Sequence, residues 1–326
     1  MQPVSVTAIG AWPGTDVRET ASVMANLCTG LLHLPELPER GPGSDMIGRT
    51  MGLVSAVADD FAVETVPNGW RLTTARGRDM RRADSFLSAD LDTIEEVCLG
   101  YDGDFKIQFT GPWTLAASVE DRAGERMLRD AGAVKDLIQA LRHAISINIA
   151  DVERRLPLAN IVVEIDEPLV VDVLRGSVRT QSKWSAYSPV ESVIVEEALQ
   201  SIRSVHEGAT VLHCCAEDYP FELVRKAGFS APSWDVALVG EIAVDHIGEH
   251  LDAGGFVMLG MEPTSVKAGF ESLVNLGKKV GYEGAQWNSH IVLSPPCDLI
   301  DMSLSQARAR IETLNNVAQE LLEVGS

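Results

Sequence analysis

IVVEIDE (161–167), SPVESVIVEEALQSIRSVH (188–206) and ATVLHCC (209–215) follow one another in the middle of the chain, and their order decides the fold. The two short runs are apolar and β-branched, as buried strands are. The stretch between them carries apolar residues at three- and four-residue spacing, the period of an amphipathic helix. Ser188, Pro189 and Glu191 read as a helix start with a capping box. Strand, helix and strand in this order make a βαβ unit with parallel strands.

The same alternation extends outward. Runs at 5–12, 63–73, 105–111, 231–238, 255–262 and 290–296 complete a set of eight expected strands. Helical patterns at 133–156, 265–280 and 303–324 lie between or after them. Eight strands alternating with helices predict a single (β/α)8 TIM barrel over residues 1–326, in preference to a doubly wound sheet. No G-x-G-x-x-G dinucleotide fingerprint follows a strand, which also counts against the sheet. Residues 30–50, rich in Pro and Gly, read as one unusually long loop, of a length typical of functional lids or disordered segments.

Composition narrows the function classes. The 326 residues are 45% hydrophobic and 23% charged, which are globular values. A formal net charge of −20 repels phosphate backbones and anionic lipid, so neither nucleic acid nor a membrane is an expected partner. Five cysteines do not suggest a disulfide framework. The first residues show no basic and apolar leader, so a cytoplasmic location is expected.

In such a barrel the reactive groups gather at the C-terminal strand ends. Gly10 and Ala11 fall at the end of the first strand and Trp113 at the end of the third; Asp166 and Glu167 end the fourth, His213 and Cys215 the fifth, and Cys297 follows the eighth. Along a strand, His213 and Cys215 share one face and Cys214 takes the other. One imidazole and two thiolates make most of a Zn2+ site with an open position, suited to holding a substrate thiol as thiolate. Cys28 and Cys98 fall in helical patterns and are expected in the core. His33, His143, His206, His246, His250 and His290 lack ligand spacing and are expected at the surface or in loops.

These residues resemble the cobalamin-independent methionine synthase family, in its C-terminal catalytic barrel. TAIGAWPGT (7–15), FTGPWTL (109–115), EIDEPLV (164–170), LHCC (212–215) and SPPCDL (294–299) match that family's segments in order. The family's N-terminal, folate-associated half has no counterpart. The resemblance implies zinc held by His213, Cys215 and Cys297, with Asp235 as the best-placed acidic ligand, although the family uses a glutamate. It implies that Asp166 receives the amino group of the acceptor, with Glu167 supporting it and Gly10, Ala11 and Trp113 at the substrate. Trp12 or Trp113 would shape an apolar mouth. Partners would then be a small-molecule thiol and a methyl donor, among them a methylcorrinoid or a corrinoid protein.

Departures accompany the match. Gly48 stands where the family has a second amine-binding glutamate, Ala11 stands for a serine, and the family's seventh-strand histidine is replaced near Met261. One remaining carboxylate would relax the demand for an amine on the thiol. Arg49 would add to this if it pointed inward. A lyase barrel of the uroporphyrinogen decarboxylase kind and a non-catalytic zinc-binding barrel are the alternatives.

Overall fold

The computed structural model describes residues 4–238 and 242–324. Its strands are β1 (Ser5–Val6), β2 (Leu31–His33), β3 (Val63–Val66), β4 (Gly69–Leu72), β5 (Asp104–Thr110), β6 (Val119–Glu120), β7 (Asn160–Asp166), β8 (Thr210–His213), β9 (Ala231–Asp235), β10 (Val257–Gly260) and β11 (Ile291–Ser294). Eight of them pair in the order β1-β11-β10-β9-β8-β7-β5-β2. Every pairing in that sheet is parallel. Parallel bridges from Val6 to Gly30 and from Ala11 to Glu36 bring β1 back to β2. The chain is therefore a (β/α)8 TIM barrel, as the alternation of patterns predicts.

The interior is graded from apolar to polar. Ile9, Leu31, Val162, Val211, Ala231, Met258 and Val292 form a buried apolar layer across the barrel. β5 supplies Lys106 in register with Val162. Its ammonium is fully buried and donates to the Ile9 carbonyl and, at 2.6 Å, to Glu164 Oε1. Polar side chains thus begin one step below the strand ends, where β7 carries Glu164 and then Asp166.

Outside, amphipathic helices cover the sheet. The helix Ala131–Arg155 buries Val134, Leu137, Leu141, Ile145, Ile149 and Val152, each worth about 1.5–3 kcal/mol for full burial. Asp130 caps it by accepting from Gly132 N (2.9 Å) and Ala133 N (3.1 Å). The last helix, Leu304–Val324, packs Ile311, Leu314 and Val317 inward and touches β1 and β11.

Three local expectations are corrected. Residues 63–73 are not a barrel strand: they form the β3–β4 hairpin, antiparallel, with Val66 paired to Gly69 across Pro67-Asn68. Gly69 has φ +122°, which its missing Cβ permits, and the chain reverses there. The second barrel strand is β2, inside the stretch read as a loop. That stretch also holds a 3-10 turn (Pro38–Arg40) and the start of the helix Met46–Val57. Finally, β7 is followed first by a short helix, Val170–Arg175, and the long helix before β8 begins only at Ser192, with Glu191 and not Ser188 at its N-cap. Val190 N donates to Val173 O (3.1 Å), and Pro189 crowds Gly176, so residues 188–190 are tied to the preceding helix end.

Candidate metal centre and acceptor cavity

β8 ends at His213; Cys214 N still donates to Ser233 O of β9 (3.1 Å), and Cys215 follows. Cys297 arrives from the turn after β11. The ligand atoms of His213, Cys215 and Cys297 lie within 4.8 Å of one another. Cys214 is fully buried on the opposite side, and burial pushes its thiol up to about 12. The alternation read along this strand is what the fold delivers.

His213 is held from behind. Its Nδ1 pairs with Ser233 Oγ at 3.0 Å, on the neighbouring β9. Tyr219 fixes that serine in turn: its hydroxyl accepts from Ser233 N (3.2 Å) and donates to Leu212 O (2.6 Å). With Nδ1 engaged, Nε2 is the nitrogen available to the sulfurs. The two neighbouring thiols influence each other: Cys297 lowers the pKa of Cys215, and Cys215 raises that of Cys297. One imidazole with an oriented second nitrogen, plus two adjacent sulfurs, is a donor set that fits zinc.

A cavity of about 280 Å³ opens on these three residues. Gly10 and Ala11 line it, as do Glu36, Gln108 and Asp166. Gly10 admits the neighbouring side chain, since a Cβ there would lie 2.7 Å from Gln108 Nε2. Asp166 is 7% exposed, and its buried Oδ1 has no hydrogen-bond partner. Burial first, and Glu164 next, hold its carboxyl well above the usual range. Glu36 is 4% exposed and accepts from Gln108 Nε2 at 3.2 Å; burial raises its pKa despite Arg49 NH1 at 3.9 Å.

Glu36 alters the reading of the acceptor site. Sequence comparison with the family leaves Asp166 alone opposite Gly48. The cavity instead holds two buried carboxylates, the second supplied by the turn after β2. Gly48 itself is filled from outside: a Cβ there would lie 2.3 Å from the Trp70 ring. Arg49 is buried, but it is committed to Pro35 O (3.3 Å) and Glu36.

Other expected site residues sit elsewhere. Glu167 is fully buried and caps the short helix after β5, accepting from Trp113 N (2.9 Å), Thr114 N (2.8 Å) and Thr114 Oγ1 (2.7 Å). Trp113 packs among helices, away from the cavity. Trp12 is core, its Nε1 donating to His33 Nε2 at 2.8 Å. Asp235 is not in the group of three; its Oδ1 accepts from Ala237 N (2.9 Å), and it lines a different cavity. Met261 is buried. His33 and His250 are also buried, not surface residues, with His250 Nε2 at Ser230 O (3.0 Å). Cys28 and Cys98 are buried, as their helical patterns suggest. No described helix is long and apolar enough to cross a membrane.

No protein-family model matches the chain, and no curated protein does. Among solved structures, a B12-independent methionine synthase from Shewanella sp. W3-18-1, in complex with selenomethionine, is similar over 72% of this chain and 67% of that one. Its TM-score is 0.52 at 12% identity. A Cellulomonas fimi endo-beta-1,4-mannanase covers 98% of this chain at TM-score 0.47 and 12% identity. At 12% identity the likeness to the methionine synthase is one of fold alone.

Proposed function

We propose that the chain is a zinc-dependent enzyme that transfers a methyl group to a small thiol carrying an ammonium group, homocysteine or a relative of it. One observation carries this reading: His213, Cys215 and Cys297 converge on a cavity whose wall also holds Asp166 and Glu36. These three residues would hold the metal. When bound, zinc supplies a Lewis acid that keeps a thiol deprotonated at neutral pH. Asp166 Oδ1 and Glu36 receive the ammonium, which fills an otherwise unpartnered buried oxygen. Ser233 and Tyr219 orient His213, and Lys106 holds Glu164 beneath Asp166. No lysine or arginine lines the cavity, which disfavours a polycarboxylate substrate for a lyase barrel. The methyl donor would be a methylcorrinoid, a corrinoid protein or another small methyl compound.

The test is zinc-loaded protein incubated with homocysteine, or with the amine-free thiol of equal length, and a panel of methyl donors. The S-methyl product is read by mass spectrometry. Homocysteine should be methylated, and Glu36→Gln and Asp166→Asn should each raise KM about tenfold or more. Equal use of the amine-free thiol, or no product with any donor, contradicts the proposal.

A further inference from the structure

A second and larger cavity, about 440 Å³, lies beside the metal centre. The chain between β8 and β9 divides the two: Cys215 lines the first and Ala216 the second. Four rings pack along its wall. Phe221 meets Trp234 edge-on at 5.0 Å between centroids, Tyr219 at 4.6 Å and His246 at 6.1 Å. Trp234 is 1% exposed and lines the cavity, and its Nε1 has no hydrogen-bond partner; nor has His246 Nδ1.

The lining is acidic. Asp218 pairs with Arg175, and Glu222 with Lys226. Glu196, Glu217 and Asp235 have no ion-pair partner within 4 Å among the described residues; Lys226 also lines the space and is near enough to feel Glu196, so the wall holds five carboxylates against one lysine. A polyanionic ligand is repelled by that wall. A hydrated metal ion would gain nothing from the rings.

We infer that this cavity binds a small methylated onium ion, a quaternary ammonium or a sulfonium. Such an ion has no N–H or S–H to donate. It is held by charge and by aromatic rings, and residues of both kinds line this cavity. The two unpartnered ring nitrogens give a place to a hydroxyl or carboxylate on the same ligand.

The test titrates the full chain calorimetrically with choline and with 3,3-dimethylbutan-1-ol, its uncharged isostere. Neither zinc nor thiol is required, so failure here is distinct from failure of thiol methylation. Choline should bind at least about tenfold more tightly than the alcohol, and Glu196→Gln with Glu217→Gln should remove about that factor. Glu217 is exposed and Glu196 half-buried, and thermal melting verifies that the variant folds. Equal affinity for the two compounds, or no saturable choline binding, overturns the inference. So does loss of choline binding in Glu36→Gln rather than in the paired variant, since that places the ion in the first cavity.

Discussion

Replacing Lys106 with methionine should damage the barrel more than any exposed substitution, and a second change should largely repair it. Lys106 and Glu164 are both fully buried, and their ion pair spans 2.6 Å. The lysine also donates to the Ile9 carbonyl. Glu164 Oε2 has no hydrogen-bond partner even in the intact pair. Lys106→Met keeps the volume and the apolar stem but strips Glu164 of its remaining contact. Breaking a buried pair from one side costs about 3–5 kcal/mol. Replacing both members by apolar residues of similar size is commonly neutral or better, so Lys106→Met with Glu164→Leu should recover most of the loss. Urea unfolding followed by circular dichroism measures both. A single variant within about 1 kcal/mol of the parent would refute this account of the interior, because an exposed pair contributes no more than that. A double variant as unstable as the single one would show that packing, not the stranded carboxylate, sets the cost.

Three further outcomes follow from the site. Ser233→Ala frees His213 Nδ1 and should weaken zinc binding about 10–100-fold, with Ser233→Thr restoring part of it, measured by competition with a chromophoric chelator. Zinc uptake at pH 7.5 should release at least one proton, because the Cys297 thiol is held above its ordinary value by neighbouring Cys215; calorimetry in buffers of different ionisation heat counts it, and zero release contradicts the paired-thiol geometry. Burial lifts Glu167 to about 7, so the folded chain keeps a proton that the unfolded chain has lost above about pH 4.5. Stability from this group therefore falls as pH rises through that window, by about 1.4 kcal/mol per unit, and Glu167→Gln should flatten the slope while leaving zinc affinity unchanged.

Much of this molecule is legible in its sequence, for physical reasons that can be named. Strands such as Asn160–Asp166 are buried on both faces and so read as plain apolar runs. The trio of His213, Cys215 and Cys297 is legible because alternation along a strand is rigid and sulfur is rare. β2 is not, because the strand is only Leu31–His33, and three residues between Gly30 and Leu34, with Pro35 just beyond, carry no period. Missing β2 hides Glu36, which lies just past that strand and would otherwise stand out as a strand-end carboxylate. The run at 63–73 misleads in the opposite sense: its β-branched residues are strand formers, but Pro67, Asn68 and Gly69 fold it into a hairpin. Glu167 shows a further limit. Sequence places it beside Asp166, but only the structure reveals that both of its oxygens are spent on the helix at Pro112–Ser118.

The central claim is that the ends of β8 and β11 build a metal centre from one imidazole and two sulfurs. Its most direct measurement is the metal content and zinc affinity of the purified protein beside Cys215→Ser and Cys214→Ala. The parent and Cys214→Ala should each hold about one zinc per chain, and Cys215→Ser should lose most of it. A parent protein that takes up no zinc at neutral pH, or equal loss in the two variants, would contradict it.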